Sequence, residues 1–197
     1  MPIKRLAPIA LALAVAALVA AGCGSSSKST SGGGSGALSA DAKSAATGDI
    51  PDTQNFLTFT DKTNGFSMRY PEGWAQKATA TGVTFQDKNN LVRIQIGKGS
   101  TPTVASVTAA VNKLKASNPS LKAQPAQQVT LKGKKLIKAS YTTQSAPNPV
   151  TGKRVTLMVD HYELAKGAKV AVVQLGTPTG VDNVDAYRMM IESFTWR

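Results

Sequence analysis

Few residues in this chain have side chains suited to covalent or acid–base chemistry, and their spacing limits what each can do. His161 is the single histidine. The run Val155, Leu157, Val159, His161 alternates, so the imidazole shares the apolar face of a strand. A partly buried histidine bonded to a neighbour accounts for that pattern. A serine triad would need a carboxylate beside the ring, and the adjacent Asp160 projects to the opposite face. No Gly-x-Ser-x-Gly element accompanies it. Asp182, Asp185 and Glu192 are the densest acids in the folded part, but the first two read as an N-cap and a first-turn acid of a helix. No loop has the ligand density of a hard-cation cage. Two glycine-containing loops, 97–101 and 176–180, run toward helices without a Walker or dinucleotide fingerprint, and Pro102 removes a donor that an anion would need. The expectation is therefore a chain that is not an enzyme and that holds neither metal nor cofactor.

Cys23 is the one cysteine, which excludes an internal disulfide framework. It follows Lys4, Arg5, the apolar run 6–21 and the small residues Ala20, Ala21 and Gly22. A positive start, an apolar segment and small residues before a cysteine make an export signal. The arrangement resembles the lipobox of bacterial lipoproteins, with Ala20 in place of the usual leucine. It implies cleavage before Cys23, diacylation of its sulfur and a cell-membrane location on the extracytoplasmic face. Sixteen residues broken by Pro8 fall short of the ~20 that a spanning helix requires.

The 197 residues carry a formal charge of +12, and loss of residues 1–22 leaves about +10. Residues 23–53 are dominated by Ser, Gly, Ala and Thr, and so read as a lipidated cysteine followed by a tether. A chain of that length and composition has an r.m.s. reach of roughly 30 Å. Residues 54–197 are the expected globular domain.

Strand patterns fall at 55–60 and 66–70 around Asn64-Gly65, and at 83–87 and 91–96. The period then changes. Thr101 as N-cap and Pro102 at the first turn introduce a helix whose stripe is Val104, Val107, Val111 and Leu114, stopped by Asn118-Pro119. Strands resume at 127–132, 134–143, 154–164 and 169–175, the last nearly continuous apolar sequence and hence central. A second helix, 182–193, carries Val184, Tyr187, Ile191 and then Phe194. Strands followed by a helix, twice over, predict an α+β domain on a largely antiparallel sheet.

The run Asn64-Gly65-Phe66-Ser67-Met68-Arg69-Tyr70-Pro71-Glu72-Gly73-Trp74 resembles the opening element of PsbP-like domains, and Ile191-Glu192-Ser193-Phe194-Thr195-Trp196 resembles their closing one. The resemblance covers nearly all of residues 54–197. It implies an α/β/α sandwich. The lipobox and tether place the chain beside the bacterial lipoproteins of that group, LpqN-like ones included. It implies a membrane-tethered, non-catalytic binding or scaffold accessory. The alternatives are a domain binding a small ligand or envelope glycan in a cleft between sheet and helix, and, in a phototroph, an extrinsic protein of photosystem II.

Basic residues mark the surface. Lys132, Lys134, Lys135 and Lys138 surround Gly133, an expected hairpin tip, and Lys153 and Arg154 start the next strand. For a tethered domain these six are the candidate contact with an anionic lipid surface or an envelope protein. Solvent-facing lysines that discourage edge pairing explain them equally well. Nucleic acid is not an expected partner, since few aromatics interleave with the charges. Trp74 and Trp196 are expected in the core.

Overall fold

The computed structural model describes residues 47–148 and 150–197. Cys23, the segment 1–22 and most of the expected tether lie outside the described residues. Within them the order is β1 (Phe56–Asp61), β2 (Phe66–Pro71), β3 (Ala75–Thr79), β4 (Gly82–Asp87), β5 (Asn90–Lys98) and α1 (Val104–Ser117). Then come β6 (Lys122–Ala123), β7 (Gln127–Leu131), β8 (Lys134–Gln144), β9 (Thr156–Lys166), β10 (Lys169–Pro178), α2 (Val184–Ser193) and β11 (Thr195–Trp196). Strands β3-β4-β5-β10-β9-β8-β6 form a large sheet with β7 also paired to β8, and β1-β2-β11 form a small one. These pairings are antiparallel.

The large sheet buries both faces, which is why β10 reads as continuous apolar sequence at its centre. Adjacent residues of β8 point opposite ways, so Leu136 enters one core and Ile137 the other. Ile137 packs with Val107 and Val111 of α1 and with Leu157 and Val159. Leu136 belongs to the larger core, with Val173 of β10, Met190 and Ile191 of α2, and Phe66 and Met68 of β2. The small sheet thus shares a layer with α2. Its aromatic rings bind that layer to the large sheet, Tyr70 stacking on Phe85 at 4.2 Å and Phe59 meeting Phe85 edge-on at 5.4 Å.

The two segments that carry the family resemblance are neighbours in space. Thr195 pairs with Ser67 and Trp196 with Phe66, while Phe66 stacks on Phe194 at 5.7 Å. The Arg197 N–H donates to the Gly65 carbonyl at 2.8 Å, closing the domain end to end.

Several expectations need correction. The α1 N-cap is Thr103, not Thr101, with Ser106 completing a reciprocal capping box. Its buried stripe is Val107 and Val111 alone; Val104 and Leu114 are exposed, Leu114 facing a cavity beneath the helix. Val184 is likewise exposed, and Met190 takes the place expected for it. Strands β3 and β6 are additional: they have no buried face, so no alternation announces them. In the β1–β2 turn Gly65 is left-handed, with φ 77°, and Asn64 is not. Asp61 caps the turn instead, its carboxylate accepting from the Asn64 N–H at 2.9 Å and from the Asn64 side-chain amide at 2.7 Å.

Packing reaches back before residue 54. Ile50 is buried, and its N–H donates to Asn183 Oδ1 at 2.8 Å. Asn183 Nδ2 donates to the Gly48 carbonyl, Asn90 Oδ1 and Thr177 Oγ1, all within 3.2 Å. Asn90 Nδ2 also donates to the Gly48 carbonyl. Two buried asparagines therefore fasten the incoming chain to β5, β10 and the start of α2.

Candidate functional site

A cleft of about 580 Å³ opens between the large sheet and α2, a volume typical of small-molecule sites. Val129 and Leu131 of β7 and Tyr187 of α2 line it, together with Leu175 and Tyr162. Met158 and Val184, both exposed, stand at its rim, which explains why two apolar side chains remain in water.

One polar cluster of the cleft comes from one face of β8 and β9, while Gln127, Thr177, Thr179, Asn183 and Arg188 line it from other elements. Lys138 Nζ lies 2.8 Å from Asp160 Oδ2, and Ser140 Oγ donates to Asp160 Oδ1 at 2.6 Å. The ammonium also sits 5.4 Å from the centre of the Tyr162 ring. Burial opposes the Lys138 charge, but the Asp160 hydrogen bond, with the nearby Tyr162 and Asp160 charges, outweighs it and holds its pKa above the ordinary value. Burial raises the Tyr162 hydroxyl, and Asp160 pushes it the same way, so it stays a neutral donor. Tyr187, raised by burial, donates to the Gly176 carbonyl at 2.6 Å. The Asp160 carboxylate is committed to Lys138 and Ser140. No imidazole reaches this serine, because His161 points through the sheet to the other side.

His161 is 3 % exposed and lines neither this cleft nor a second cavity, of about 400 Å³, beneath α1. Gln174 Nε2 approaches its Nδ1 at 3.4 Å, so Nδ1 accepts and Nε2 donates to Glu163 Oε1 at 2.9 Å. The same amide donates to the Tyr141 hydroxyl at 3.0 Å, and burial raises the Tyr141 pKa. The ring is thus a bonded core histidine with no substrate-facing edge.

The acids divide by role. Asp185 lies in the first turn of α2 as expected. Asn183, not Asp182, holds the N-cap position, its side chain being spent on residues 48–50, while Asp182 Oδ1 accepts from the Val184 N–H at 3.3 Å. Glu192 accepts from Arg188 at 3.0 Å and pairs with Lys132 at 3.4 Å, and these lower its pKa. Among the described residues no cluster of three His, Cys, Asp or Glu could hold a metal ion. The loop 97–101 is partly strand β5, and Gly176 and Pro178 belong to β10.

The six basic candidates do not form one surface. Lys132 and Gly133, with φ 46° and 76°, make the β7–β8 turn as expected. Lys134 Nζ donates to the Glu192 and Phe194 carbonyls, a cation at the C-terminal end of α2, whose own last turn has none. Lys135 is exposed. Lys138 is inside the cleft rather than at the tip. Lys153 and Arg154 sit at the far end of the β8–β9 pair, Arg154 donating to the Ser145 carbonyl at 2.6 Å.

The sequence offered a cleft between sheet and helix as an alternative but named no lining residue, because both sheet faces are covered and alternation in β8 and β9 does not distinguish a filled core from an open one. The signal available was Lys138, Ser140, Asp160 and Tyr162, polar-tipped residues in register on adjacent strands.

No protein-family profile and no curated protein sequence matches the chain. Solved structures do. Cyanobacterial PsbP (CyanoP) from Synechocystis sp. PCC 6803 aligns at TM-score 0.51 and 14 % identity, over 77 % of this chain and 99 % of that one. The Ran-binding protein Mog1p of Saccharomyces cerevisiae aligns at TM-score 0.50 and 10 % identity, over 73 % of this chain and 96 % of its own. LpqN of Mycobacterium tuberculosis, involved in cell envelope biogenesis, aligns at TM-score 0.44 and 16 % identity, over 73 % and 91 %. With the order of strands and helices and the meeting of the 64–74 and 191–196 segments, the likeness to CyanoP and Mog1p shows that the chain has the PsbP-like fold.

Proposed function

We propose that the protein is a non-catalytic binding accessory, held at the outer face of a cytoplasmic membrane by lipid on Cys23, that takes a small amphiphile between sheet and α2. The observation that carries this reading is the cleft. Its walls carry apolar and aromatic side chains, and its charged groups are paired: an ammonium beside a neutral phenol and a carboxylate already neutralised, and the Arg188 guanidinium held by Glu192. Such a lining favours an apolar body with one polar or anionic end, and it offers no activated nucleophile. Mog1p is itself described as a binding protein, which agrees with a fold used for recognition. We read the layering, α1 over one face and α2 over the other, as the α/β/α arrangement of this fold. The anchor in this reading is Cys23; among the described residues no helix is long and apolar enough to cross a membrane.

The test uses anilinonaphthalene sulfonate, an aromatic amphiphile with one anionic group. The full chain should bind it at one saturable site, with fluorescence enhancement. Met158→Trp, at the exposed rim, should fill the mouth and abolish the enhancement while leaving the melting curve unchanged. Equal enhancement in the variant would overturn the cleft as the binding site. Labelled palmitate should enter the wild-type chain in cells and not Cys23→Ser.

A further inference from the structure

Charge is segregated along the strand axis of this domain, and the sequence hides it. Lys169 faces Lys98 on β5 and Lys166 on β9 as direct cross-strand partners. Direct partners project from the same side of the sheet, so three ammonium groups share one end of it. All three are exposed, and like charges placed so are unfavourable to folding. Lys169 finds the Asn64 carbonyl at 3.2 Å, which brings the β1–β2 turn and its exposed Lys62 to the same end. The β7–β8 turn adds Lys132 and Lys135, and Arg197 arrives through its bond to Gly65. Against these stand Asp61 and Glu192, each already bonded.

The other end carries no such excess of positive charge. The first residue of β5, Asn90, is eight residues from Lys98, about 27 Å at ~3.4 Å per residue. Around it lie Asp49 on the incoming chain, Asp87 in the β4–β5 turn, and Asp182 and Asp185 at the start of α2. Lys88, Lys122, Lys153 and Arg154, with Lys115 in the last turn of α1, offset these acids. The chain enters here, at Gly48, so the connection toward Cys23 leaves from the acid-bearing end.

We propose that the basic end, centred on Lys98, Lys166 and Lys169, docks on an anionic lipid bilayer, with the Gly48 end turned away from it. The observation that selects a bilayer is the breadth of the exposed charge, spread over four separate turns and strand ends. Three ammonium groups that repel one another in the isolated domain gain from a flat array of phosphates. A segment with the composition of residues 24–46 has an r.m.s. reach comparable to the 27 Å between the two ends, the match at which a linked second contact is most effective. This refines the anionic-surface candidate from the sequence, keeping Lys132 and Lys135. Lys134, which is bonded to the end of α2, and Lys138, Lys153 and Arg154 give way to Lys98, Lys166 and Lys169. It does not depend on the cleft, nor, in the experiment below, on lipid at Cys23.

The experiment is vesicle co-sedimentation of the chain from residue 23 with Cys23→Ser, using phosphatidylcholine alone or with 30 % phosphatidylglycerol. The expected result is binding to the anionic vesicles only, weakened by salt. The triple change Lys98→Gln, Lys166→Gln, Lys169→Gln should weaken it by about 100-fold. Lys153→Gln with Arg154→Gln should leave it within twofold. The triple variant should melt no lower than wild type, since it relieves repulsion, and Lys62→Gln with Lys135→Gln gives an independent reduction. Failure to bind anionic vesicles, equal binding to neutral ones, an unaffected triple variant, or capture by soluble poly-glutamate in place of vesicles would each overturn the proposal. None of these outcomes bears on palmitate labelling or on the cleft probe.

Discussion

Asn183→Ala should destabilise the domain by about 3 kcal/mol, and the hydrogen bonds show why. Asn183 is 2 % exposed and connects the incoming chain to the body of the fold. Its loss does not strand every partner. The Gly48 carbonyl still accepts from Asn90, and Asn90 Oδ1 still accepts from the Thr177 hydroxyl at 3.2 Å. The Ile50 N–H has no such second partner, and Ile50 is itself buried. A stranded buried donor costs ~1–3 kcal/mol, and the lost hydrogen bonds and small cavity add about 1 kcal/mol. Set against a total of ~5–15 kcal/mol, that is a substantial fraction, and it should lower the melting temperature by about 10 °C. The assay is urea unfolding followed by the fluorescence of Trp74 and Trp196. The same change in a chain starting at residue 54, with no Ile50 to strand, should cost only about 1 kcal/mol, which makes a double-mutant cycle. A loss below 1 kcal/mol in the intact chain, or equal losses in both backgrounds, refutes the idea that residues 48–50 belong to the folded domain.

Other outcomes follow from single contacts. Gly82→Ala should abolish soluble expression or cost more than ~3 kcal/mol in a thermal melt, because a Cβ there would lie 2.0 Å from the Ile94 carbonyl oxygen. Alkali should weaken the fold. Lys138, Tyr141, Tyr162 and Tyr187 all have folded pKa values above their unfolded ones, so the stability they contribute is full below about pH 10 and is lost as pH rises through the raised values. Urea midpoints measured from pH 8 to 11.5 should fall, and Tyr162→Phe should flatten the decline; a flat wild-type curve would contradict the assignment. His161→Ala should lower the urea midpoint yet leave amphiphile binding unchanged, whereas loss of a hydrolytic activity on substitution would restore the histidine as a catalytic group.

Legibility in the sequence followed the physics of each element. In β2 the alternation of Phe66, Met68 and Tyr70 located the strand to within a residue, although only Arg69 of the face expected to be wet is exposed, Ser67 being buried where β11 pairs with it. The edge strands β3 and β6 escaped because they bury nothing. In α1 the apolar spacing marked four core positions, of which Val107 and Val111 are buried, while Val104 is exposed and Leu114 borders a cavity that the helix leaves unfilled. His161 was read correctly as a bonded, buried ring, since Leu157 and Val159 share its face. Lys138 was not: four lysines close together in sequence suggested one surface, but strand alternation sends Lys138 into the cleft beside Asp160 and leaves Lys135 in water.

By itself the sequence determined the antiparallel α+β order, the two segments that define the fold, and Cys23 as the candidate anchor. Those are local properties, set by periodicity, turn residues and the succession of charge, apolar run and small side chains. Tertiary structure alone decided that Asn90 and Asn183 hold residues 48–50, that sheet and α2 leave a cleft between them, and that lysines over seventy residues apart in sequence meet at one end. Each depends on strand register, which is settled by pairing across the whole sheet and so is absent from any short stretch of chain.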